Sequence, residues 1–183
     1  MAGASPARAL KLFIAASLDG YIARPDGAVD WLWVDDDYGY AELYDSVDVL
    51  LMGRRTYEQV LTFGGDYPWR GKRSLVLSRA QAGRQESHAS FVDTAPAALL
   101  AELRREPGGH IWLVGGAALV ASFLEADLVD EIILSLHPIL LGAGIPLFPG
   151  AAAERALQLL AVRSWPRGLA RLHYRRDRSA VCE

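Results

Sequence analysis

Cysteine is all but missing: Cys182 is the single one, next to the C-terminus. An internal disulfide framework and a cysteine-based metal cluster are therefore excluded, and a reducing cytoplasm suits the composition. Lysine is scarce too, since of 19 cationic residues only Lys11 and Lys72 are not arginine. That bias favours forked contacts to anions over point charges. A net charge of −3 gives no basic field for nucleic acid. No apolar run approaches the roughly 18–20 residues that span a bilayer. His88, His110, His137 and His173 lack metal-ligand spacing, so no metal is expected; His137, just before Pro138, reads as a turn residue. The G-x-G-x-x-G fingerprint is absent, because Gly142-x-Gly144 runs into Ile145 and Pro146 instead of a helix. Residues 1–9 lack the apolar core of a signal peptide and read as a loose arm. A soluble, cytoplasmic protein follows as the expectation.

What is present suits one domain, spanning 10–178. Hydrophobic residues make up 51% and charged residues 22% of 183 positions, enough for a proper core. Apolar runs at Leu10–Ala16, Val47–Met52, Ser74–Leu77, Ser90–Val92, His110–Val114 and Glu131–His137 read as strands. Helical spacing falls between them, at 35–46, from Thr56 onward, at 97–106 and at 117–126. The acids Asp35, Asp36 and Asp37 open the first of these helices, where a helix dipole favours them. Ala156–Trp165 and Leu169–Arg175, joined by Pro166-Arg167-Gly168, read as a hairpin. Strands alternating with helices, closed by a hairpin, predict a three-layer α/β/α fold with a mainly parallel central sheet and an antiparallel C-terminal hairpin.

In open α/β sheets ligands bind beyond the carboxyl ends of the strands, and three such ends carry anion chemistry. After Val47–Met52 come Gly53, Arg54, Arg55 and Thr56 at a helix start, where unpaired N–H groups, a hydroxyl and two guanidiniums suit a phosphate. After Ser74–Leu77 come Ser78 and Arg79. After His110–Val114 come Gly115, Gly116 and Ala117, a turn that lets a pyrophosphate approach the backbone. Any one of these could be an ordinary strand–helix turn. Three in one sheet point to a dinucleotide with an extra phosphate, NADPH. The segment 17–32 mixes turn residues with Tyr21, Ile22 and Trp31, the make-up of a loop that covers a site.

These residues carry a resemblance. MGRRTYE resembles the M-G-R-x-T/S-W/Y-E signature of dihydrofolate reductases, with IAASLDGYIA, LVLSR and LVGGAAL in matching order. The stretch GGAALVASFLEADLVDEIILSLHPILLGAGIPLF is similar to the reductase domain of the bifunctional riboflavin-biosynthesis deaminase–reductase and its stand-alone relatives. The resemblance implies a dihydrofolate reductase-like fold and NADPH as cofactor. It implies that Gly53, Arg54, Arg55, Thr56, Ser78 and Arg79 hold the phosphates, with Gly115, Gly116, Ala117 and Leu119 about the pyrophosphate and the Gly-Gly peptide cis. It further implies that Ala15 and Ile22 frame the nicotinamide, that Asp19, Asp30 and Trp31 meet the substrate, and that the acid falls at Asp36, five residues after Trp31. Asp36, or else Asp35, is the candidate proton donor, since apolar burial under that tryptophan would raise its pKa; an ordered water is the alternative.

Departures bear on the substrate. Asp30 stands where the family's loop has proline, and Lys72 where folate reductases grip a carboxylate with arginine. The implied activity is hydride transfer from NADPH to a heterocyclic or ribosylamino-pyrimidine substrate, by a reductase without the deaminase domain. Two alternatives remain open: a dihydrofolate reductase acting on a pterin or folate, and a non-catalytic NADP(H)-binding dimer. A homodimer is expected through PILLGAGIPLFPG and the final hairpin.

Overall fold

The computed structural model describes residues 8–150 and 153–179; Cys182 lies outside them. Among the described residues ten strands and four α-helices follow in order, with a short 3-10 turn at Arg79–Gln81: β1 (Leu10–Ser17), β2 (Tyr21–Ala23), α1 (Tyr40–Ser46), β3 (Val47–Gly53), α2 (Arg54–Thr62), β4 (Arg73–Leu77), β5 (Ser90–Val92), α3 (Pro96–Leu103), β6 (His110–Gly115), α4 (Ala117–Glu125), β7 (Glu131–His137), β8 (Ile145–Pro146), β9 (Leu157–Ser164) and β10 (Ala170–Arg176). Eight strands form one sheet in the order β5-β4-β3-β6-β1-β7-β10-β9. The first six run parallel, and β10 and β9 join antiparallel. This is the three-layer α/β/α architecture expected from the sequence.

The layers follow from side-chain alternation. Leu10, Leu12, Leu51, Leu113 and Ile132 face α3 and α4, meeting Leu100, Leu103, Val120 and Phe123 in one core. Their neighbours on the other face, Leu50, Met52, Val76, Trp112 and Ile133, meet Leu43 of α1 with Tyr57 and Val60 of α2. The inner strands β3 and β6 are buried along both faces, which is why they read as unbroken apolar runs.

Three expectations are corrected. The arm does not extend to residue 9: Arg8 is 4% and Ala9 0% exposed. Arg8 pairs with Asp48 and donates to the carbonyls of Leu103 and Gly109, so charge satisfaction holds the segment down. The first helix begins at Tyr40, because Gly39 takes a left-handed conformation (φ 77°) that stops a helix running back through Asp35–Asp37. Every described peptide bond is trans, Gly115–Gly116 included; the positive φ of Gly115 (131°) makes that turn. A two-stranded sheet of β2 and β8 was not foreseen; it ties the loop after β1 to the loop after β7.

Candidate functional site

The sheet order sets the site out as a row of carboxyl ends: Ser78-Arg79 after β4, Gly53–Thr56 after β3, Gly115–Ala117 after β6, Ser17 and Asp19 at β1, and His137 at β7. The three anion-type ends are thus next to one another. Two of them touch directly, since the Gly116 N–H donates to Thr56 Oγ1 at 3.0 Å. A side chain at Gly116 would press on that hydroxyl at 3.2 Å. α2 and α4 both start here with no acid in the first turn and no side-chain cap.

The two arginines of α2 differ. Arg54 is held by Glu58 one turn on, at 2.7 and 3.0 Å. Arg55 has no such partner. Among the described residues, Arg55, Arg79 and Arg105 are the guanidiniums without a carboxylate in reach. Arg105 follows α3 at the amino end of β6, away from the row; the other two are exposed within it. Ala15, Ile22 and Leu119 are half-buried at the centre, where β1, β2 and α4 adjoin the glycine turn.

The residues expected on the substrate side are arranged differently. Asp19 is spent on structure: it accepts from the Ser17 hydroxyl at 2.6 Å and from the Leu141 and Gly142 N–H groups at 3.1 and 2.8 Å. The Ser17 hydroxyl holds its pKa below the usual carboxylate range, opposed by desolvation and helped by the Gly142 and Leu141 backbone donors. Asp30 is locked to Arg24 by two bonds of 2.6 and 2.9 Å, which lowers its pKa as well. Trp31 is buried (6% exposed) with its ring edge-on to His137, centroids 5.2 Å apart. Asp36 is exposed, and its carboxylate accepts the Asp37 N–H at 2.7 Å, so the apolar burial expected for it is not there. Asp35 takes the Tyr38 hydroxyl at 2.9 Å and pairs with Arg167.

Sequence reasoning missed two organising residues here. His137, 4% exposed, accepts the Trp33 N–H on Nε2 at 3.2 Å. Burial pushes its pKa down, keeping that nitrogen free to accept, with the Ser135 backbone opposing. Arg171, 8% exposed, donates to the Gly39 carbonyl at 3.0 Å and to Glu42 at 3.3 Å. Strand alternation carried a signal for both, because His137 shares a face with Ser135 and Arg171 is the register partner of Ser135. A cavity of about 200 Å³ lined by Tyr67, Arg70 and His88 lies beside the start of β4, away from the row.

Residues 8–170 match the RibD C-terminal domain family. The chain belongs to that family. Its members give it a riboflavin-biosynthesis-type, reductase-like domain with a dihydrofolate reductase-like fold. A Bacillus subtilis (strain 168) relative, the uncharacterized protein YwjB, is 38% identical over 166 residues, covering 89% of this chain and 95% of its own. The crystal structure of a putative riboflavin biosynthesis protein from Shewanella sp. PV-4 superposes with a TM-score of 0.84 at 31% identity, covering 93% of this chain and 99% of that one. A diaminohydroxyphosphoribosylaminopyrimidine deaminase/5-amino-6-(5-phosphoribosylamino)uracil reductase from Thermotoga maritima shares the fold, with a TM-score of 0.72 at 16% identity over 92% of this chain and 56% of that one. No helix among the described residues is long and apolar enough to cross a membrane.

Proposed function

We propose that this RibD C-terminal domain family protein is an NADPH-dependent reductase of a heterocyclic or ribosylamino-pyrimidine substrate. The observation that carries the reading is the pair of unpaired guanidiniums, Arg55 and Arg79, beside two uncapped helix starts. Left without carboxylates, they suit the 2′-phosphate, while Ser78, Thr56, Leu119 and the turn Gly53/Gly115-Gly116-Ala117 suit the pyrophosphate and ribose. The cofactor, when bound, supplies the hydride and leaves as NADP⁺.

The chain's own residues bind, orient and exclude water. Ala15 and Ile22 give the nicotinamide a half-buried, apolar seat at the centre of the row. Trp31, fixed against His137, closes the substrate side, and Asp19 holds the covering loops together through Leu141 and Gly142. Asp36 is exposed and engaged with its own backbone, so solvent supplies the proton in this reading. A fluorescence titration with NADPH and NADH tests it: saturable binding with NADPH the tighter ligand is expected, and equal or no binding would overturn it.

We also propose a homodimer through β9. All eight residues of this edge strand are exposed, with Leu159 at 51% and Val162 at 57%. An antiparallel edge can pair with its own copy about a two-fold axis, which satisfies both unpaired ladders. Sedimentation showing only a 20.0 kDa monomer at micromolar concentration would overturn this.

A further inference from the structure

The cations of the substrate side are already taken. Arg24 grips Asp30 with both arms of its fork. Arg167 pairs with Asp35 and lies 4.1 Å over the Trp33 ring. Arg171 is buried on the Gly39 carbonyl and Glu42, and Arg163 reaches the same Glu42 at 3.1 Å. A phosphate or carboxylate entering here would have to displace a carboxylate or carbonyl already seated. It would exchange one ion pair for another of similar strength, for little net gain.

The rest of that wall is aromatic. Trp33 packs on His137 with centroids 5.5 Å apart, and Tyr38 packs on Trp165 at 5.7 Å. Such a surface offers flat apolar faces and little to hold a charge.

We infer that the substrate is an uncharged planar heterocycle without a phosphate or carboxylate tail, because Arg24, Arg167 and Arg171 on the substrate side already carry carboxylate partners. The inference rests on the reductase reading and narrows it: among the described residues of the substrate side, the phosphoribosyl group in the name of the Thermotoga maritima protein meets no arginine without a carboxylate partner.

The test uses a matched pair of probes, uridine and uridine 5′-phosphate, titrated into the NADP⁺-saturated protein with tryptophan fluorescence as readout. The phosphate should add no affinity. In Asp35→Asn, which frees Arg167, it should add about tenfold or more, the size of one charge-assisted contact. A tenfold gain already present in the wild type and lost in Arg167→Ala would overturn the inference. The same titration on cofactor-free Arg55→Ala/Arg79→Ala protein separates the two readings. If NADP⁺ fails to bind the wild type, the cofactor reading falls, while this variant still reports whether the substrate side takes a phosphate.

Discussion

The two halves of the carboxyl edge are built from the same residue types and treat charge in opposite ways. Around β4, β3 and β6 two guanidiniums stand free beside helix starts that carry no acid. Around β7 and the β9–β10 hairpin, each arginine is folded onto a carboxylate, and aromatic rings fill the space between. In one half guanidiniums stand without a carboxylate; in the other each has one. Arginine count alone does not distinguish them, whereas the placement of Glu42, Asp30 and Asp35 does.

The comparison breaks most directly on the cofactor side. Replacing Arg55 or Arg79 by alanine should weaken NADPH by roughly ten- to a hundredfold each, the size of a charge-assisted hydrogen bond, and leave NADH unchanged. Equal losses for both nucleotides in a titration would place these arginines away from the 2′-phosphate.

On the substrate side the largest effect falls at Gly39. Its left-handed backbone and its contact with the Arg171 guanidinium leave no room for a Cβ. Gly39→Ala should cost about 1–3 kcal/mol in denaturant unfolding, from strain plus displacement of Arg171. An unchanged midpoint would show that the Arg171 clamp is slack.

A smaller effect comes from pH. Burial holds His137, and likewise His110, below the ordinary histidine value near 6.5. The unfolded chain therefore binds more protons than the folded one just below that value. Stability should be full above pH 6.5 and fall as the pH drops toward the folded-state values, by at most about 1.4 kcal/mol per pH unit for each histidine. Urea unfolding between pH 7.5 and 5.5 measures the decline. His137→Gln should flatten it, and a parallel decline in that variant would remove His137 from the account.

The smallest effect sharpens the contrast within the cofactor side. Arg54 is engaged with Glu58, so Arg54→Ala should change NADPH affinity by about twofold or less and stability by about 0.3–0.5 kcal/mol, the worth of a surface pair one helical turn apart. A loss matching that of Arg55→Ala would mean that Arg54 leaves Glu58 for the ligand.

These contrasts mark how far the sequence could be read. β5 and β7 have the bounds their apolar runs suggested, since a strand buried on both faces declares itself. The turns at Gly53, Ser78 and Gly115-Gly116 were legible as turns for the same reason, each lying at the end of such a run. The small β2–β8 sheet was hidden because pairs of two and three residues among glycines and prolines show no period. The start of α1 was misplaced because three aspartates look like a helix opening, while Tyr38 and Gly39 adopt positive φ just before it. That Arg54 and Arg55 play different parts depends on Glu58, and that Asp35 is engaged depends on Arg167, 132 residues away. Pairings of the second kind exist only once the sheet has formed.

The position of β1 bears on how the chain comes to be made. Leu10 pairs with Ile111 on one side, and Lys11 with Glu131 on the other. β1 is thus flanked on both sides by strands that lie far later in the described residues. The segment holding Ser17 and Asp19 stays without its partners until β7 and the loop after it have been synthesised. Joining β1 and its loop to β7 and the loop after it requires the closure of long loops, the kind of non-local contact that slows folding.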